Sequence, residues 1–109
     1  MESLDNSYII VLVTTSNKQE AERISQELLE AKLIACANIV GPVSSHFVWN
    51  DKIEQTDEFL IFMKSQMILF EELSERVKAL HSYEVPEVLA LPIVGGSKAY
   101  LDWLGASLK

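Results

Sequence analysis

The sequence predicts an α+β sandwich, a four-stranded antiparallel sheet with two helices on one face and a short helix at the tail. Three observations predict it. Four β-branched, apolar runs and two helical periodicities alternate in the order β-α-β-β-α-β. The two middle runs meet at Asn50-Asp51, a residue pair suited to a tight hairpin. The hydrophobic share of 49% against 23% charged residues, in a chain of 109, suits one core in one domain spanning 1–109.

Tyr8–Thr15, YIIVLVTT, is almost wholly apolar and reads as a central strand covered on at least one face. Ser16–Leu33 reads as a helix. Asn17 with Glu20 three positions on fits a reciprocal cap at its start. Ala21, Ile24, Leu28 and Ala31 recur at helical spacing, while Glu20, Glu22, Arg23 and Glu27 fall mostly on the polar face. Leu33–Trp49 is strand-like on both sides of Gly41-Pro42, where the missing proline N–H implies a bulge or bend. Lys52–Lys64 is its hairpin partner.

A tight turn sets Trp49 opposite Lys52, Phe47 opposite Glu54 and Val43 opposite Glu58, with a one-residue slip allowed beyond Gly41-Pro42. Trp49, Phe47, Ser45 and Val43 then share a face with Glu54, Thr56, Glu58, Leu60, Phe62 and Lys64. Ser65–Ser82 is the second helix. Its buried stripe is Leu69 or Phe70, Leu73, Val77 and Leu80, and Glu71 and Glu72 sit near its positive end. Glu87–Val94 is the last core strand, Gly95-Gly96 a turn, and Ser97 the cap of a tail helix over Lys98–Leu108. The order is the split βαβ, ferredoxin-like arrangement.

The formal net charge of −7 argues against nucleic-acid binding, which rests on neutralising phosphates, and against adhesion to anionic membranes. It suits a solvated surface and is compatible with cationic ligands. Cys36 has no partner for an intrachain disulfide and fits a reducing compartment. The opening MESLDNS lacks the basic and apolar segments of a secretory leader. No apolar run approaches the ~20 residues of a membrane helix. A soluble, cytoplasmic protein is the expectation.

The central hairpin is too long for its sheet. Its arms run roughly 13 to 16 residues, near 45 Å at about 3.3 Å per residue, and the first and last strands are much shorter. The far half, Ser44–Thr56, therefore projects past the subunit's own sheet and exposes Phe47, Val48, Trp49 and Ile53. A bare two-stranded ribbon is marginal in water. Pairing with further copies of the chain is the simplest remedy.

At this point LIACANIVGPVSSHFVW, KIEQTDEFLIFMK, HSYEVPEVLALPIVGGSKAYLDWL and VLVTTSNKQEAERISQELLEAKL together resemble the CutA1 family of divalent-cation-tolerance proteins. The likeness runs from about Ile9 to Leu108. It rests on the Ala-Cys-Ala-Asn strand, the Trp before the tight turn and the run His-x-Tyr-Glu-x-Pro-Glu. The resemblance implies a ferredoxin-like subunit in a tight homotrimer, similar in architecture to PII signalling proteins. It also implies a role in tolerance of copper and other divalent cations, with no enzymatic activity.

Candidate chemistry is sparse. Cys36 is the soft-metal candidate, thiolate suiting copper(I) or zinc, and its alternative is a small buried hydrophobe. His81 is the better of the two histidines; the resemblance carries metal binding onto it, and its alternative is capping of the preceding helix. His46 lies on the projecting hairpin. One Cys and two His do not make a strong site within one chain. Glu84, Glu87 or a neighbouring copy would have to add ligands. Some members carry a cysteine at the end of the first strand, where this chain has Val13.

Tyr83, Glu84 and Glu87, with Lys64 as an ion-pair partner for Glu87, form either a fixed subunit geometry or the polar rim of an intersubunit cleft that holds a ligand. A PII-like signalling module is the alternative to metal tolerance. An acylphosphatase-like hydrolase ranks last, because Arg23 and Arg76 fall on helix surfaces rather than at an anion-binding loop.

Overall fold

A computed structural model describes residues 7–109; the reading of a leader-free start rests on Met1–Asn6, outside the described residues. The elements are β1 (Tyr8–Thr15), α1 (Lys18–Glu30), β2 (Cys36–Trp49), β3 (Lys52–Gln66), a 3₁₀ turn (Met67–Leu69), α2 (Phe70–Leu80), β4 (Val88–Pro92) and α3 (Lys98–Ala106). The sheet order is β2-β3-β1-β4, with every pair antiparallel. This is the expected split βαβ sandwich. Val11 and Val13 of β1 and Ile61 and Met63 of β3 bury completely with Ile24, Leu28, Leu73 and Val77 of the two helices. That one layer of contact is the core.

Element ends depart from expectation for local reasons. α1 stops early because Lys32 takes a left-handed φ of 59°. There Lys32 N–H donates to the Leu29 carbonyl and Leu33 N–H to the Leu28 carbonyl, each at 3.0 Å, satisfying helix-end acceptors in the usual two-bond closure. Leu33 and Ile34 drop into the core instead of starting the strand. β3 keeps Ser65 and Gln66, expected in the second helix. Ser65 pairs with Ile9, and its buried hydroxyl donates to the Leu33 carbonyl at 2.7 Å. β4 ends at Pro92, which brings no N–H to the ladder. Gly95-Gly96 makes no tight turn, and neither glycine takes a positive φ.

The hairpin follows the predicted register. Asn50 and Asp51 both take positive φ, 53° and 64°, the geometry of a two-residue turn that matches strand twist. Trp49 faces Lys52, Phe47 faces Glu54 and Val43 faces Glu58; beyond the bulge Val40 faces Leu60. The slip falls at the cis Gly41-Pro42 step, with Phe59 opposite. A Cβ on Gly41 would lie 2.6 Å from the Phe59 ring, so the ring's seat requires glycine.

β1 pairs with β3 only from Phe59 to Gln66. Among the described residues the hairpin from Val43 to Glu58 has no third strand, and it leaves Ile53 84% and Trp49 48% exposed. The sheet face away from the helices carries Ile10, Leu12, Leu60, Phe62, Leu89 and Leu91, none fully buried. α3 folds back on the subunit through buried Leu104, and its Gly105 lies against the Tyr8 hydroxyl. The Lys109 N–H donates to the Lys32 carbonyl at 3.0 Å.

Two substitutions test these packing statements by urea denaturation. Gly41→Ala forces the Phe59 ring off its seat and is expected to cost about 1–3 kcal/mol. Ser25, 5% exposed, has a buried hydroxyl without a partner among the described residues. Ser25→Ala is expected to stabilise the protein by about 1 kcal/mol.

Candidate functional site

The segment after α2 is tied by side-chain hydrogen bonds to three elements, α1, β1 and β3. His81 closes α2 through its backbone, with its N–H donating to the Val77 carbonyl at 2.9 Å. The capping alternative is met by the backbone alone, because the ring leaves the helix and lies 2.7 Å through Nε2 from the Thr14 carbonyl of β1. The Tyr83 backbone N–H donates to Nδ1 at 3.0 Å. An amide N–H only donates, so Nδ1 is the acceptor and the proton sits on Nε2, directed at Thr14. The ring is wholly buried, and both its nitrogens are engaged.

Glu20 was expected on the exposed helix face, yet it is 6% exposed. Half of the predicted cap forms, the Glu20 N–H donating to Asn17 Oδ1 at 2.7 Å. The carboxylate reaches past Asn17. It accepts from the Ser82 N–H at 2.7 Å, the Ser82 hydroxyl at 3.1 Å and the Ser16 N–H at 3.4 Å. Burial pushes this carboxyl up, but the hydrogen bonds from Ser82 and Ser16 outweigh it and hold Glu20 below its usual range. Glu20 thus ties the start of α1 to the loop beyond α2.

Tyr83 makes the third tie. Its hydroxyl donates to Glu58 Oε2 at 2.6 Å. Burial and the Glu58 carboxylate push this phenol far above its ordinary value. Glu58 is 6% exposed, and among the described residues no lysine or arginine pairs with it. Burial, then the charge of Glu58, raises the Glu87 carboxyl. Between the ribbon and this loop lies an open cleft of about 820 Å³. Phe47 and Trp49 form one wall, Glu84, Val85 and Glu87 the other, with Glu54 and Glu58 on β3 between them. Among the described residues, no lysine or arginine lines it.

Tyr83, Glu84 and Glu87 therefore come together as the sequence suggests. Lys64 does not join them. Its ammonium donates to Asn38 Oδ1 at 2.6 Å and lies 3.8 Å from the Cys36 sulfur. The reason is register: Lys64 pairs with Ile10, whereas the cleft opens at Thr14, about 13 Å along β1 at roughly 3.3 Å per residue. No Lys64–Glu87 pair forms within the chain. Cys36, opposite Lys64, is likewise at the other end of the sheet from His81. Among the described residues no three His, Cys, Asp or Glu side chains converge as a metal-holding group. His46 lines the cleft beside Phe47, and Val13 is buried in the core.

Two carboxylates central to this region carried no site role in the sequence reading. Glu58 had a signal: the hairpin register set it on the face of Trp49 and Phe47. Glu20 had only its cap, because Ser82 is 62 residues away in the chain.

Acid titration tests both unusual carboxylates through the thermal midpoint. Glu20 is depressed, so it stabilises the fold above its unfolded value near 4.5, and that contribution is lost as pH falls through the lower folded value. Glu20→Gln is expected to lower the midpoint at neutral pH and to shrink the wild-type fall in acid. Glu87 is raised, so its ionised form weakens the fold at neutral pH. Glu87→Gln is expected to raise the midpoint there and to lose that advantage in acid.

The described geometry agrees with known proteins. A family model, CutA1 divalent ion tolerance protein, matches residues 9–107. The chain is 43% identical over 95 residues to the divalent-cation tolerance protein CutA of Thermus thermophilus, covering 87% of this chain and 92% of that one. It is 42% identical to the chloroplastic protein CutA of Arabidopsis thaliana over 93% of its own length, but spans only 56% of that longer protein. Its fold superposes on the Thermus thermophilus Cut A1 structure with a TM-score of 0.92, at 40% identity over 94% of this chain and 99% of that one. The structure of the periplasmic divalent cation tolerance protein CutA from Archaeoglobus fulgidus gives a TM-score of 0.90 at 41% identity, over 94% and 99% of the two chains. Names that place relatives in the chloroplast and the periplasm overturn the cytoplasmic expectation. The physical reason is that an acidic chain with one cysteine suits any of these compartments. By sequence and by fold, the chain belongs to the CutA1 family of divalent ion tolerance proteins.

Proposed function

We propose that the protein works as a homotrimer in divalent-cation tolerance, binding copper or a related divalent ion without catalysing a reaction. The observation that carries the assembly is the bare side of the sheet. Among the described residues, Ile10, Leu12, Leu60, Phe62, Leu89 and Leu91 stay incompletely buried while the ribbon beyond Phe59 lacks a third strand. Further copies of the chain supply both the cover and the pairing.

Assembly also bears on the cation. Cys36 and His81 lie at opposite ends of the sheet, and the His81 nitrogens already hold Thr14 and Tyr83. One chain therefore offers partial donor sets only. Cys36 lies on the bare face, where a second copy would bring further donors, and the carboxylates of the cleft would attract cations towards the molecule. The same engagement of His81 leaves no free imidazole in the loop to act as a general base, which favours a non-enzymatic role.

Sedimentation of the purified protein is expected to give three copies per particle, and a folded monomer at working dilution overturns the assembly. Copper titration is expected to show affinity falling about tenfold or more in Cys36→Ala. Equal affinity in wild type, Cys36→Ala and His81→Ala removes both residues as ligands.

A further inference from the structure

Among the described residues two carboxylates are buried, Glu20 and Glu58. Glu20 is matched by Ser82 and Ser16. Glu58 is not. It is 6% exposed already in a single copy, so its burial does not wait for the assembly. The Tyr83 hydroxyl gives it one hydrogen bond, and no lysine or arginine pairs with it among the described residues. A buried carboxylate without a counter-charge is costly.

Lys64 has the opposite deficit. It is one of only two basic residues in the four strands, with Lys52. Its half-buried ammonium meets Asn38 Oδ1 and the Cys36 sulfur but, among the described residues, no carboxylate. Lys64 and Glu58 lie on the same bare face of β3, with Leu60 and Phe62 between them. Six positions of strand hold them apart, about 20 Å at roughly 3.3 Å per residue. The pair cannot close within one chain. The bare face thus has an apolar middle, a cation at one end and an anion at the other.

We propose that Lys64 of one copy enters the cleft of the next and pairs with Glu58, so that each Glu58 site is incomplete without a neighbour. This rests on the assembly proposed above. Covering the bare face with further copies takes both charges out of water, and burying them as a pair costs less than burying each alone. In a closed ring one patch of each copy meets a different patch of the next. Every copy then gives one lysine and receives one, and none is left over. The cleft of about 820 Å³ has room for a lysine side chain. The opposite ends also fix how neighbours meet, because matching like ends would set carboxylate against carboxylate. Lys52 is the weaker candidate: it is exposed beside the hairpin turn, away from the apolar face that needs cover.

A double-mutant cycle on the full chain tests the pairing. Wild type, Lys64→Met, Glu58→Gln and the double variant are sedimented over a dilution series, with a metal chelator present and sub-denaturing urea added to bring dissociation into range. Gln at 58 keeps an acceptor for the Tyr83 hydroxyl, and circular dichroism confirms that each variant is folded. Each single change is expected to raise the concentration at which the particle dissociates about tenfold or more. The double variant is expected to be no worse than the weaker single one. Lys64→Arg is expected to retain most of the assembly, and Lys52→Met to leave it unchanged. Additive effects of Lys64→Met and Glu58→Gln in folded protein overturn the pairing while leaving the assembly in place, as does coupling of Glu58 to Lys52 instead. A wild-type chain that is a folded monomer at working dilution overturns the assembly itself, and the pairing with it.

Discussion

β1 stops pairing with β3 at Phe59, and from there outward, among the described residues, the hairpin has only its own two arms for strand pairing. The arms are 14 and 15 residues long, while β1 offers eight and β4 five. Helices α1 and α2 cover the short, complete part of the sheet and cannot reach the rest. The same mismatch creates the projecting ribbon and its exposed Trp49, and it sets the overhang beneath which the cleft lies. A hairpin trimmed to the length of β1 would leave an ordinary small sandwich and no cleft.

The cleft also needs a second wall, and the segment from His81 to Glu87 has little regular structure to provide it. Its stiffness comes from polar ties. Glu20 holds Ser82 from α1, the His81 ring holds Thr14 from β1, and Tyr83 holds Glu58 from β3. Each tie leads to a different element, so the loop cannot shift by sliding along any one neighbour. Every buried polar atom in this set except the surplus capacity of Glu58 finds its match within the chain. The histidine and tyrosine that look like chemistry in the sequence are chiefly fasteners, and they present Glu84 and Glu87 to the opening.

Much of this was legible from residue pattern. The apolar runs around Val11 and Ile61 identify two strands, and Asn50-Asp51 sets the register that brings Phe47, Trp49, Glu54 and Glu58 to one side. Legibility fails where the deciding contact lies far along the chain. Nothing near Glu20 announces Ser82, so a helix-face glutamate reads as solvated. Lys64 and Glu87 look paired when each is seen only as a charge beside an apolar run; the antiparallel register places them at different levels of the sheet. Helix ends fail for a third reason. Lys32 adopts a conformation that favours glycine, and no side-chain preference signals it.

The bulge at Gly41-Pro42 has a consequence for descent as well as for shape. Before it, the even-numbered residues of β2 face the bare side of the sheet; after it, the odd-numbered ones do. Removing one residue at that step would reverse the parity of the whole outer arm. Ser44, His46 and Val48 would then turn inward, while Phe47 and Trp49 faced the opposite way. The outer arm can therefore exchange side chains freely over evolutionary time, but a single-codon deletion at its base would turn its lining inside out.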